Sequence, residues 1–176
     1  IYVNVGAPSN ACQKQVREAG VAGQDPCPEL EQHAGIWQFP ADRTGQSHGD
    51  GRHYAGGIRN AHSIAWNTVV DSLFIFQHGR DQLHEFWPEN YSETDGAELP
   101  AEEMIRVDAD TTYSWPYCYF DSRQDSLMLA PEYGGDGETV GRCAEFPKPI
   151  MDFPAHYGPN DMLFYEARQF PSAYQN

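Results

Sequence analysis

Three short segments of this 176-residue chain carry groups able to hold a polar ligand. The first is Arg59-Asn60, set in Gly57-Ile58-Arg59-Asn60-Ala61-His62 just ahead of an apolar run. An arginine offers a rigid, permanently charged fork of donors suited to carboxylates and quinone oxygens, and asparagine adds both a donor and an acceptor. The second is Gln77-His78-Gly79-Arg80-Asp81, which follows the next apolar run. Glycine permits backbone conformations that turn carbonyl oxygens toward one point, and a hard cation such as Ca²⁺ takes such oxygens as ligands. The third is Ala155-His156-Tyr157-Gly158-Pro159-Asn160-Asp161, a loop whose histidine is placed to meet a ligand. Local sequence alone favours plainer readings of all three. Arg59-Asn60 reads as a solvated strand start, His78-Gly79 as a strand-ending turn with a surface histidine, and His156 as a loop residue without a role.

Other chemical devices are missing or weak. Gly134-Gly135-Asp136-Gly137 has no Gly-Lys-Ser/Thr after it and no strand–helix context, so it reads as a turn rather than a phosphate cradle. There is no Gly-x-Ser-x-Gly and no His-Glu-x-x-His. Adjacent carboxylates such as Glu102-Glu103 carry little information in a chain with 26 acidic residues. Tyr113-Ser114-Trp115-Pro116-Tyr117-Cys118 is an aromatic cluster whose default role is core packing, with Pro116 restricting Trp115 to extended backbone. The four cysteines fall as two local pairs, Cys12 with Cys27 and Cys118 with Cys143, neither with Cys-x-x-Cys spacing. Joined as disulfides, each pair would stabilise its loop by roughly 3 kcal/mol and place the chain in an oxidising compartment, periplasmic or secreted. The alternative is four buried thiols in a cytosolic protein.

These segments need a scaffold, and the composition limits its type. A formal net charge of −15 opposes nucleic-acid binding, which rests on phosphate neutralisation. No run approaches 18 consecutive apolar residues, so no membrane-spanning helix is expected. Aromatics at 13% argue against disorder, while 16 glycines and 13 prolines restrict helix and favour short strands with long loops. Strands are expected at Ile1–Val5, Gly35–Phe39, Ser63–Asn67, Leu73–Gln77, Met104–Val107 and Met162–Tyr165, with short helical turns at Pro28–His33 and Ala101–Met104. Turns are expected at 42–45, 48–51, Asp95-Gly96 and 134–137, and Asn67–Ser72 should close a hairpin. The class is all-β: sandwich, barrel or propeller, without an internal repeat clear enough to choose. Propeller blades take ~40–50 residues, so this length accommodates two to four. Residue 1 opens in strand pattern and 170–176 reads as the approach to another strand, so residues 1–176 are expected to form one incomplete domain, an interior piece of a longer chain. Its unpaired strand edges should then make it poorly soluble or dependent on a partner.

In order along the chain, several motifs resemble the glucose/sorbosone dehydrogenase family, closest to its sorbosone and pyranose dehydrogenase branch. They are Ile1-Tyr2-Val3-Asn4-Val5-Gly6 with Ser9-Asn10-Ala11-Cys12, Asp25-Pro26-Cys27-Pro28-Glu29-Leu30, Ala34-Gly35-Ile36-Trp37 and Gly57-Ile58-Arg59-Asn60. His78-Gly79-Arg80-Asp81, Trp115-Pro116-Tyr117-Cys118-Tyr119, Pro131–Gly137 and Ala155–Asp161 continue the series. The resemblance implies a six-bladed β-propeller, of which this chain would supply part, binding pyrroloquinoline quinone (PQQ) and Ca²⁺ and passing electrons from a sugar to an acceptor such as a cytochrome or quinone. It further implies that Arg59 stabilises charge on the quinone and that Arg59, Asn60, His78 and His156 contact the cofactor. The backbone carbonyls of Gly79 and Arg80 would hold Ca²⁺, and Trp115-Pro116 would shape a blade corner. The family's general-base histidine is expected upstream of Ile1. Ala7 stands where the glucose branch has an aspartate that supports that histidine, which points to the sorbosone/pyranose branch. An alternative is a propeller retained as a non-catalytic carbohydrate- or protein-binding module.

Overall fold

The computed structural model describes residues 1–174. Two four-stranded sheets and a hairpin carry the fold. The first sheet joins β1 (Tyr2–Val5), β2 (Gly35–Gln38), β3 (Arg52–Gly56) and the two-residue β7 (Thr111–Thr112), in that order. The second places β10 (Met151–Phe153), β6 (Glu102–Val107), β5 (Ser72–Gln77) and β4 (Ala61–Asn67) side by side, all antiparallel. The hairpin is β8 (Cys118–Asp121) with β9 (Ser126–Leu129). Among the described residues two short α-helices, α1 (Leu83–Phe86) and α2 (Glu93–Glu98), interrupt this β-rich architecture. No helix of the described residues is long and apolar enough to cross a membrane.

The apolar pattern explains the layering. Leu73, Phe74 and Ile75 are buried in succession because β5 is central and covered on both faces, whereas β4 alternates and leaves Ile64 and Trp66 exposed at the sheet edge. Ile36 and Ala55 from the first sheet meet Leu73, Ile75, Ile105 and Val107 from the second, with Ile58 and Tyr113 closing the seam. Each such aliphatic side chain contributes roughly 1.5–3 kcal/mol on burial. The expected hairpin between β4 and β5 forms, with Ile64 opposite Ile75 and Ala65 opposite Phe74.

Both cysteine pairs are disulfides, and among the described residues no cysteine is free. Cys12–Cys27 packs with Ala34 against the buried Trp115, whose indole N–H donates to the Asn10 carbonyl at 3.0 Å. Cys118–Cys143 ties β8 to the 3₁₀ turn Gly141–Glu145.

Several sequence expectations are corrected. Ala101–Met104 is not a helical turn: Glu102–Val107 is a strand, and Pro100 precedes it rather than opening a helix. Met162–Tyr165 forms no strand; it meets β5 through Phe164 against Phe74, ring centres 5.0 Å apart, without sheet pairing. Asp95-Gly96 lies within α2, where Ser92 caps the helix and Asp95 completes the capping box. The segment 170–174 contains the 3₁₀ turn Ser172–Tyr174, and Gln175 and Asn176 lie outside the described residues. The turn expected at Pro28–His33 is present as a 3₁₀ turn over Pro28–Glu31.

Candidate functional site

Arg59 owes its place to a glycine. Gly57 adopts a φ of 70°, and a Cβ there would overlap the Tyr113 backbone, so only glycine lets the chain leave β3 on this path. Two residues on, the Arg59 backbone N–H donates to Gln77 Oε1 at 2.7 Å, and the Arg59 carbonyl accepts from Ala7 N at 2.7 Å. The guanidinium is 8% exposed. Its Nη1 donates to the Gly79 carbonyl, and its Nη2 reaches Asn10 Oδ1 and Asp81 Oδ2, both at 3.0 Å. Nε, equally buried, has no partner. Burial pushes the Arg59 guanidinium below its ordinary value, opposed by the Asp81 charge. Burial alone would raise Asp81, yet Arg59 and Arg17 together hold its carboxyl below the usual range.

The two other predicted segments arrive at the same place. His78 N donates to the Asn60 carbonyl at 3.0 Å, which splices the end of β5 to the Arg59-Asn60 corner. The His78 ring stacks on His62, centres 4.4 Å apart, and its Nε2 lies 3.0 Å from the Pro159 carbonyl. Gly158 N donates to Glu102 Oε1 at 3.3 Å, and the exposed His156 places Nε2 3.0 Å from the Gly96 carbonyl. Arg59, Asn60, His78, Gly79, Arg80, Asp81, Glu102, His156 and Gly158 thus line one polar hollow of about 390 Å³.

Not every group is free as the sequence suggested. Gly79 does not use a left-handed conformation. Its small size matters instead, since a Cβ would sit 3.0 Å from the Ala101 carbonyl and the Pro100 ring. Its carbonyl already accepts from Arg59, leaving one lone pair for another partner. The Arg80 guanidinium turns away into a buried ion pair with Glu132, which also accepts from Trp87 Nε1 at 3.1 Å. Trp115 packs in the core, as its default role requires.

Two carboxylates set aside at the sequence level prove structural to the site. Glu102 faces the hollow, where its Oε2 accepts from Gly79 N at 2.9 Å. Its partners are backbone N–H groups rather than a cation, so it brings negative charge to the hollow wall. Glu103, on the opposite face of β6, is 4% exposed and accepts from Gln77 Nε2 at 3.2 Å. It borders a narrow cavity of about 10 Å³ beneath the hollow, too tight for more than one water. Burial raises the Glu103 carboxyl to about 7, with Gln77 opposing and Glu102 and Asp152 adding to the rise. Glu103, Gln77 and the Arg59 backbone therefore form a hydrogen-bonded chain under the site. Asn10 was also missed as a contact; it clamps Asp81 through Nδ2 to the Asp81 carbonyl and Oδ1 from Asp81 N, each at 2.9 Å. Among the described residues, no group of three or more His, Cys, Asp or Glu side chains could hold a metal ion.

No family model and no curated protein matches the chain. Solved structures do. The PQQ domain of pyranose dehydrogenase from Coprinopsis cinerea, in its holo form, superposes with a TM-score of 0.62 at 19% identity, covering 93% of this chain and 41% of that one. A Trichoderma reesei member of carbohydrate-active enzyme family AA12, solved as a calcium structure, gives 0.63 at 16%, over 91% of this chain and 41% of its own. Soluble aldose sugar dehydrogenase from Escherichia coli, in its apo form, gives 0.55 at 16%, over 99% and 42%. This chain therefore has the fold of these structures, over about two fifths of their length.

Proposed function

We propose that the hollow is part of the cofactor site of a PQQ-dependent sugar dehydrogenase of the sorbosone/pyranose type, and that the two four-stranded sheets are blades of a six-bladed propeller. The observation that carries this reading is convergence: three segments separated by up to about a hundred residues meet at one polar hollow, bonded to one another. Similarity of fold to proteins whose structures are of a PQQ domain and an aldose sugar dehydrogenase supports it.

The residues fit the cofactor. PQQ is a planar ortho-quinone bearing carboxylates, and a hollow of about 390 Å³ is within the ~300–1,000 Å³ of small-molecule sites. Arg59 lines it with a guanidinium fixed on Gly79, Asn10 and Asp81, a permanent positive charge suited to carboxylate and quinone oxygens. Asn60, His78 and His156 add polar contacts around the same hollow. For Ca²⁺, the remaining lone pair of the Gly79 carbonyl and the Arg80 carbonyl would be the backbone ligands, and the nearby Glu102 carboxylate would offset the added positive charge. When bound, PQQ supplies the quinone that takes up electrons from a sugar hydroxyl, with Ca²⁺ polarising it as a Lewis acid.

The chain's own residues prepare the site. Gln77 fixes the Arg59 backbone, and Asn10 and Asp81 fix its guanidinium fork, so that charge is presented without reorganisation. His78 holds the 155–161 loop against the hollow through the Pro159 carbonyl. The electron acceptor would be a cytochrome or quinone, and the disulfides suit a secreted or periplasmic protein. Titrating the chain with PQQ in the presence of Ca²⁺, followed by the cofactor's absorbance, tests the reading. Saturable binding that Arg59→Ala weakens at least about tenfold is expected. Absence of binding both to the folded chain and to a longer protein that completes the site would overturn it, leaving the non-catalytic binding module.

A further inference from the structure

Asn90-Tyr91-Ser92 is the only Asn-x-Ser/Thr triplet in the sequence, and its middle residue is not proline. Asn90 is exposed, in the turn between α1 and α2 that its backbone N–H closes onto the Trp87 carbonyl at 3.0 Å. Tyr91 points inward, 3% exposed, its hydroxyl 3.2 Å from that of Tyr119. This anchors the triplet while leaving its first and third residues at the surface. The Asn90 carboxamide donates one Nδ2 hydrogen to the Gly135 carbonyl at 3.2 Å. A primary amide has two such hydrogens, so one can be replaced while the other keeps its bond. Two intact disulfides and no free cysteine among the described residues show the chemistry of an oxidising compartment, the setting in which such triplets are modified.

We propose that Asn90 is an N-glycosylation site. The donor is an oligosaccharide carried on a polyprenyl diphosphate in a secretory compartment. Nδ2 forms a bond to the anomeric carbon, the bond from that carbon to the diphosphate oxygen breaks, and the amide proton leaves as the carrier departs as diphosphate. No net oxidation or reduction occurs. Asn90 and its partners Trp87 and Gly135 do not line the hollow, so the glycan would solubilise the α1–α2 surface without obstructing ligand entry.

Ser92 also caps α2, its Oγ accepting from Asp95 N at 3.2 Å, so an alanine there would confuse loss of the acceptor triplet with loss of the cap. Aspartate caps as well as serine but cannot complete the triplet. The test is secretion of the chain from a yeast host, followed by peptide-N-glycosidase treatment and mass spectrometry of the peptide containing Asn90. The wild type and Ser92→Thr should carry a glycan whose enzymatic removal converts Asn90 to aspartate. Ser92→Asp and Asn90→Gln should carry none. A secreted, disulfide-bonded wild-type chain with unmodified Asn90 overturns the proposal, as does a glycan that persists in Ser92→Asp. The outcome is independent of whether the hollow binds PQQ.

Discussion

Replacing Glu103 with glutamine should flatten the pH dependence of this chain's stability. Glu103 lies between Gln77 on β5 and Asp152 on β10, in register with both, and is 4% exposed. Burial raises its carboxyl from 4.5 to about 7, helped by Glu102 and Asp152 and opposed by the bond from Gln77. The folded state therefore binds this proton more tightly than the unfolded chain. Its contribution is full below the unfolded value of 4.5 and is lost as pH rises through about 7. A shift of this size corresponds to about 3 kcal/mol, of which about 2 kcal/mol falls between about pH 5 and about pH 7. Glutamine has the shape of the protonated acid, can still accept from Gln77 through its carbonyl, and does not ionise. Urea unfolding of both chains across that range, with a chelator present to exclude divalent cations, measures the difference. The wild type should lose about 2 kcal/mol relative to Glu103→Gln. Parallel stability curves would refute the argument, because they would mean that Glu103 is ionised throughout and solvated by something other than Gln77.

Further substitutions probe the scaffold around the hollow. Glu132→Leu strands the buried Arg80 guanidinium and the Trp87 N–H, and should cost about 3–5 kcal/mol in chemical unfolding. Gly57→Ala forces a side chain into a left-handed turn and onto the Tyr113 backbone; it should destabilise by more than about 1 kcal/mol and weaken PQQ binding by displacing Arg59. Replacing Cys12 and Cys27 together with alanine opens a loop of 15-residue separation and should lower stability by about 3 kcal/mol, read as a fall in the denaturation midpoint.

Much of the site was legible because its residues sit where strands end. Arg59-Asn60 precedes β4 and His78–Arg80 follows β5, and antiparallel pairing of those strands necessarily brings the two ends together. What pairing could not reveal is which polar atoms would already be engaged. Arg80 offered a cation in the sequence, but Glu132, fifty-two residues away, neutralises it in the core. Glu102-Glu103 carried little information among 26 acidic residues; both are buried because β6 lies beside β5, so that one carboxylate meets the Gly79 N–H and the other meets Gln77. Pro100, just ahead of Ala101–Met104, gave the start of β6 the look of a first helical turn, although Met104–Val107 was recognised as strand. The hairpin of β8 and β9 went unread because Tyr119, Phe120, Leu127 and Met128 are buried on both faces, which removes the alternation that marks a half-exposed strand. Met162–Tyr165 erred the other way: Phe164 packs on Phe74 of β5 by side chains alone, without backbone pairing.

The most direct test of the account is an experimental structure of this chain, alone or within a longer protein, with PQQ and Ca²⁺ bound. Cofactor density between Arg59 and the 155–161 loop, with the metal against the Gly79 and Arg80 carbonyls, is the expected result. Cofactor seated elsewhere, with the hollow holding only solvent, would contradict it.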